Sequence, residues 1–195
     1  MVAVGYGDAV TPLLKHLPNC LSALRLCAAP LTALFILHGQ DWGALGVFAF
    51  AGLSDALDGY LARRLGSDSR FGLFLDPAAD KLLMLASFVT LTVVGAVPLW
   101  LTAVVILRDV AIVGCVAAAW LFAIPVRIEP LSIGKISTAV QVCFIGAVLL
   151  LRALDLDQPS AVLAGAIATG AVTVASWLAY GQLWFRALML GRRTA

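Results

Sequence analysis

The sequence predicts an all-α integral membrane protein with six transmembrane helices, a short N-terminal interfacial helix and both termini in the cytoplasm. Three observations lead there. Of the 195 residues, 62% are apolar and 12% charged, with a mean hydropathy of +1.01; an average soluble domain has about 45–50% and about 25%. The apolar residues fall into six runs, each near the ~20 residues that cross a hydrocarbon layer ~30 Å thick. The cations collect in alternate breaks between those runs. The same composition excludes disorder, a collagen-like chain and a basic nucleic-acid-binding domain. A net charge of +2 provides no field to steer a polyanion, so no nucleic-acid partner is expected.

In chain order, 11–17 reads as the interfacial helix, with Thr11 as cap and Pro12 at its first position. It belongs to an N-terminal interfacial segment, 1–19. The spans are expected at 21–37, 42–61, 71–97, 98–123, 136–154 and 159–183. Each break between them carries Gly, Pro or a polar cluster, the usual stop and start signals of helices. The third break, Gly95 to Pro98, is nearly all apolar. Residues 1–195 read as one domain, without internal repeats. Cys20, Cys27, Cys115 and Cys143 lie in apolar runs without metal-ligand spacing and read as reduced packing residues.

Sidedness follows from the basic residues. Lys15, Arg25, Arg63, Arg64, Arg70, Arg127, Lys135, Arg186, Arg192 and Arg193 fall at the N-terminus, the second-to-third and fourth-to-fifth breaks, and the C-terminus. With six spans these places share one side, and the opposite loops hold Arg152 alone. The positive-inside rule therefore puts the termini and the charged loops in the cytoplasm. Trp42, Trp100, Trp177 and Trp184 lie near predicted span ends, as an aromatic belt would place them.

The acidic residues are the informative ones. Asp55, Asp58, Asp76, Asp80 and Asp109 fall inside predicted spans, where a carboxylate costs about 2.5–3.5 kcal/mol at the helix centre. Asp55 and Asp58 are three apart, with Gly59, Ala62 and Arg63 continuing that helix face. Gly72, Asp76 and Asp80 follow at intervals of four along the next helix. Counting in from the charged loop at ~1.5 Å per residue puts Asp55 about 13 Å deep and Asp80 about 12 Å deep. If adjacent helices pack together, two carboxylate pairs meet at one level. Gly59, Ala62 and Gly72 leave room beside them. Such an oxygen-rich donor set suits Mg²⁺, Mn²⁺ or Ca²⁺, and Mg²⁺ normally takes one or two carboxylates plus substrate phosphates. A carboxylate not consumed by metal can act as general base toward an alcohol. Two other readings are salt bridging to Lys81, Arg63 and Arg108, and a cation or proton pathway. A pathway predicts acids through the whole depth, whereas these cluster in the cytoplasmic half.

The segment from Asp55 to Asp80 resembles the signature of the CDP-alcohol phosphotransferase family. That signature reads Asp-x-x-Asp-Gly-x-x-Ala-Arg, eight or nine residues, then Gly-x-x-x-Asp-x-x-x-Asp. Here Asp55, Asp58, Gly59, Ala62, Arg63, Gly72, Asp76 and Asp80 fill every fixed position. The resemblance implies six spans, cytoplasmic termini and a homodimer in, by expectation, a bacterial cytoplasmic membrane. It implies an enzyme with two Mg²⁺ (or Mn²⁺) ions held by Asp55, Asp58, Asp76 and Asp80, Asp80 doubling as the base. Asn19, Asp58, Gly59, Ala62, Arg63 and Gly72 would bind CDP. The implied reaction transfers a phosphatidyl group from CDP-diacylglycerol to an alcohol and releases CMP.

Two more segments are similar to the glycerophospholipid branch of that family. They are Leu17-Pro18-Asn19-Cys20-Leu21-Ser22-Ala23-Leu24-Arg25, followed by Pro30, and Gly134-Lys135-Ile136-Ser137-Thr138-Ala139-Val140-Gln141. Arg108-Asp109, the Thr138–Gln141 stretch and the run into Asp55 imply phosphatidylglycerol as acceptor and cardiolipin as product; glycerol 3-phosphate is the alternative. Either acceptor brings a phosphate, for which Arg108, Lys135 and Arg25 are the candidate cations. Each also has a plain reading, as a snorkelling charge or, for Arg108, as one half of a structural pair with Asp109.

Overall fold

The structure is a computed structural model. It describes the backbone of residues 10–65, 72–121 and 132–191, and the side chains within them except at 10–23, 55–65, 72–79, 116–120 and 184–191. It is all-helical among the described residues. The helices are α1 (Val10–Leu37), α2 (Asp41–Leu65), α3 (Gly72–Val93), α4 (Leu99–Leu121), α5 (Ser132–Ala153) and α6 (Pro159–Gly191).

Five boundaries differ from the hydropathy reading. The expected interfacial helix and first span are one continuous helix, α1, with Pro18 inside it; a span tolerates an interior proline when neighbouring groups satisfy the freed carbonyl. Helices α2, α5 and α6 overrun their apolar runs by a turn or two, because backbone hydrogen bonding continues where hydropathy stops. Helix α3 stops at Val93 rather than 97. Gly95, at φ +75°, takes the left-handed conformation, and its N–H and that of Ala96 bond back to Thr92 and Leu91 at 3.0 and 2.8 Å. The same closure ends α1 at Gly39 and α5 at Asp155, a non-glycine residue at φ 55°. In each, two orphan carbonyls of the last turn are satisfied.

The helices form two compact units, Met1–Thr90 and Leu91–Ala195. In the first, α1 packs along α2. Ala28, Ala29, Ala44 and Ala51 are buried, small side chains that let helix backbones approach closely. In the second, α4 and α5 both pack on α6. Its inward face is Ala166, Thr169, Gly170, Thr173, Ser176 and Tyr180, and its outward face includes Leu163, Ile167, Val174 and Leu178. Polar groups inside and aliphatic groups outside are the arrangement expected when the solvent is hydrocarbon. Helix α5 and 159–183 of α6 are long and apolar enough to cross a membrane. Gly165 and Gly170 serve packing within the unit. A Cβ on Gly165 would lie 3.1 Å from the Phe144 ring, and one on Gly170 2.7 Å from the Trp100 ring.

Candidate active site

The four carboxylates occupy two helices. Asp55 and Asp58 are ten and seven residues before the end of α2, and Asp76 and Asp80 are four and eight residues after the start of α3. Because both segments are helical, the spacings of three and four put each pair on one helix face. The side chains of Asp55, Asp58 and Asp76, like those of Asn19, Gly59, Ala62, Arg63 and Gly72, lie outside the described residues. Asp80 is half-buried. Nearby hydroxyls are spent inside their own helices. Ser54 donates to the Phe50 carbonyl at 2.8 Å, Ser87 to Leu83 at 2.8 Å and Thr90 to Ala86 at 2.7 Å. The four carboxylates are hard oxygen donors, the ligand type that suits Mg²⁺ or Mn²⁺.

The three candidate acceptor cations have three different settings. Arg25, on α1, is 2% exposed. Lys135, one residue past Gly134 on α5, is exposed. Arg108 is 4% exposed and bound by its own chain. Its Nη1 donates to Asp109 at 2.7 Å, and its Nη2 donates to the Gly134 carbonyl at 3.4 Å and to Ser176 Oγ at 3.2 Å. Only Nε lacks a partner. Arg108 thus ties α4 to both α5 and α6.

The structure extends this tie into a polar seam that the sequence reading missed. Gln141 Nε2 donates to Thr173 Oγ1 at 3.0 Å and to Ser137 Oγ at 3.4 Å, and Thr173 donates to the Thr169 carbonyl at 2.8 Å. Thr138 donates to the Gly134 carbonyl at 3.2 Å. In the Gly134–Gln141 segment, then, Gly134, Ser137, Thr138 and Gln141 serve helix packing, and Lys135 alone offers an exposed charge. The missed signal was Thr169, Thr173, Ser176 and Tyr180, polar residues at intervals of four, three and four in an otherwise apolar span.

Comparison with known proteins decides the family. The model of the CDP-alcohol phosphatidyltransferase family matches residues 15–180. The chain belongs to that family. Curated relatives include the CMP-forming cardiolipin synthase of Homo sapiens, 36% identical over 162 residues, covering 73% of this chain and 54% of that protein. The CMP-forming cardiolipin synthase of Rattus norvegicus is 36% identical over 147 residues, 67% of this chain and 49% of the relative. The chain therefore spans about half the length of these two. The CDP-diacylglycerol--glycerol-3-phosphate 3-phosphatidyltransferase of Bacillus subtilis is 32% identical over 187 residues, 87% of this chain and 95% of the relative.

Proposed function

We propose that this protein transfers the phosphatidyl group of CDP-diacylglycerol to the hydroxyl of phosphatidylglycerol, giving cardiolipin and CMP. The observation that carries the reaction class is the pair of carboxylates on each of α2 and α3, inside the segment matched by the family. Asp55, Asp58, Asp76 and Asp80 would hold two Mg²⁺ or Mn²⁺ ions, which when bound supply positive charge beside a diphosphate. Asp80 accepts the proton of the acceptor hydroxyl. The acceptor oxygen forms a bond to the phosphorus that carries diacylglycerol, and the bond from that phosphorus to CMP breaks, CMP leaving with the electron pair. Gly59, Ala62 and Gly72, lacking bulk, give the cytidine diphosphate room beside the carboxylates, with Asn19 and Arg63 as its polar contacts. Lys135 meets the acceptor phosphate, with Arg25 as a second cation. The protein resides in a membrane, by this proposal the bacterial cytoplasmic membrane, with six spans and the carboxylates toward the cytoplasm. It acts as a homodimer.

A second reading takes glycerol 3-phosphate as acceptor, giving phosphatidylglycerophosphate. It is favoured by the Bacillus subtilis relative, which the chain covers almost completely. One panel separates the two. Purified protein with CDP-diacylglycerol and Mg²⁺ is offered phosphatidylglycerol, glycerol 3-phosphate, inositol phosphate or serine, and CMP release is followed. Phosphatidylglycerol should support turnover and EDTA should abolish it, as should Asp55→Asn, Asp58→Asn and Asp76→Asn individually. CMP release with glycerol 3-phosphate and none with phosphatidylglycerol promotes the second reading. Full turnover by a metal-free preparation ends the metal assignment.

A further inference from the structure

Three helices meet at the residue that precedes Lys135. Gly134, in the first turn of α5, is buried, whereas Lys135 beside it is exposed. The Gly134 carbonyl accepts from Arg108 Nη2 of α4 at 3.4 Å, and the same nitrogen donates to Ser176 Oγ of α6 at 3.2 Å. On the α6 side there is no slack, because a Cβ on Gly134 would lie 2.8 Å from the Tyr180 hydroxyl. A lysine ammonium rides on a flexible four-carbon stem. What the fold can set is the backbone from which that stem starts, and here that backbone is the first turn of α5.

Ser176 decides where the guanidinium goes. The contact to Gly134 is the longest of the three that Arg108 makes, after 2.7 Å to Asp109 and 3.2 Å to Ser176. A planar fork held at Nη1 by a carboxylate and at Nη2 by a hydroxyl cannot turn freely, so the remaining Nη2 N–H is aimed at the Gly134 carbonyl. The hydroxyls of Ser87, Thr90, Thr138 and Thr173 donate to a carbonyl one turn back in their own helix, the local use such groups often have in helices. Ser176 accepts from another helix. It is 0% exposed and Arg108 is 4% exposed, so water is not at hand to replace either partner. Removing the Ser176 oxygen leaves a buried, charged N–H without its acceptor, and the fork must turn to find another.

We propose that Ser176 is a positioning residue for the acceptor: by holding Arg108 Nη2 on the Gly134 carbonyl, it fixes the first turn of α5 and so the origin of the Lys135 side chain. The inference rests on the reading of Lys135 as the cation that meets the acceptor phosphate, and it holds for either acceptor, since both carry one. Ser176 touches no substrate. Its effect reaches the reaction through Arg108, Gly134 and Lys135 in turn, and a misplacement of about 1 Å at a group that orients substrate costs up to roughly a hundredfold. Gln141 and Thr173 join the same two helices, α5 and α6, through a 3.0 Å bond. Breaking that bond loosens the helix pair without releasing Gly134, which makes it the control.

The test uses the full chain in detergent with CDP-diacylglycerol, Mg²⁺ and whichever of phosphatidylglycerol and glycerol 3-phosphate supports CMP release. Ser176→Ala should raise the acceptor KM about fivefold, the weight of one hydrogen bond, with kcat and the CDP-diacylglycerol KM within twofold. In a Lys135→Ala background the same substitution should have no further effect on the acceptor KM, because the group it positions is gone. Thr173→Val should lower Tm at least as far as Ser176→Ala and leave the acceptor KM within twofold. Hydrogen exchange reads the clamp without activity. The amides of Ile136, Ser137 and Thr138, whose helical acceptors are the carbonyls of residues 132–134, should exchange at least threefold faster in Ser176→Ala and not in Thr173→Val. An acceptor KM unmoved by Ser176→Ala overturns the proposal, as does an equal rise with and without Lys135, or an equal rise in both substrates' KM values. Unchanged exchange in Ser176→Ala overturns the clamp itself. An acceptor KM unmoved by Lys135→Ala overturns the Lys135 assignment and the positioning role with it, while the phosphatidyl transfer stands. If the wild type releases no CMP with either acceptor, the reaction falls, and the exchange measurement still decides whether Ser176 holds the turn.

Discussion

Gly134→Ala is the substitution whose effect the structure defines most closely. Gly134 is buried at the junction of α4, α5 and α6. A Cβ there would lie 2.8 Å from the Tyr180 hydroxyl, 3.1 Å from Tyr180 Cε2 and 3.4 Å from Arg108 Nη2. Tyr180 is 9% exposed and Arg108 4%, so neither has open space to retreat into. Overpacking of this kind costs about 1–3 kcal/mol. Displacing Arg108 from the Gly134 carbonyl adds about 0.6 kcal/mol, the mean for an interhelical hydrogen bond in a membrane bundle. Against this, alanine is favoured over glycine in a helix by about 1 kcal/mol. The net expectation is a loss of about 0.6–2.6 kcal/mol. For a chain of this size that lowers Tm by about 1–10 °C. Gly146, on the same helix, is the internal control, since a Cβ there meets nothing within 4 Å. Gly146→Ala should leave Tm unchanged or raise it, and the gap between the two variants isolates the steric cost. Tyr180→Phe combined with Gly134→Ala removes the 2.8 Å contact and should recover part of the loss. Thermal unfolding in detergent checks all three. The packing argument fails if Gly134→Ala is as stable as Gly146→Ala, or if the double variant recovers nothing.

Asp80→Asn should abolish CMP release while CDP-diacylglycerol binding stays within about tenfold, or ~1.4 kcal/mol; binding that collapses as far as in Asp76→Asn makes Asp80 a ligand and not the base. Lys135→Ala should raise the acceptor KM without moving Tm, whereas Arg108→Lys, which keeps the charge but loses the guanidinium fork, should lower Tm; the reverse pattern makes Arg108 the acceptor contact. Asp155→Val, a β-branched residue forced to φ > 0, should cost about 1–2 kcal/mol, and Asp155→Gly should not; equal Tm values in thermal unfolding would contradict the left-handed cap.

The helical runs and the turns near 38–40, 94–98 and 154–158 were legible because hydrocarbon and water sort residues strongly, whereas the separate interfacial helix expected at 11–17 is part of α1. The Gly95–Pro98 break was legible despite its apolar composition, through the two residues that interrupt a helix by backbone geometry rather than polarity. Helix ends were not. Hydropathy marks where a helix leaves hydrocarbon, not where its hydrogen bonds stop, so α1 and α6 run past their apolar segments. Asp155 shows a subtler miss. In sequence it is one more loop acid, and only the backbone shows it occupying the position that glycine fills at the other two such turns.

Arg108 marks the boundary of what residue types alone can say. A buried arginine beside an aspartate fits both an anion site and a structural clamp, and the difference lies in where its N–H groups point. Here both terminal nitrogens are committed, Nη1 to Asp109 and Nη2 to Gly134 and Ser176. Those partners are 1, 26 and 68 residues away in the chain, so no local pattern could reveal them. An acceptor phosphate would have to displace at least one of these partners to gain a bidentate hold, and would find only Nε uncommitted. Lys135 faces no such competition. Its neighbours in the segment carry the packing and leave it exposed. The division of labour follows from the solvent. In hydrocarbon each polar group left over must be paired inside the bundle, so the side chains that hold α4, α5 and α6 together are buried while Lys135 is exposed. The sequence displays the residue types and cannot display that sorting.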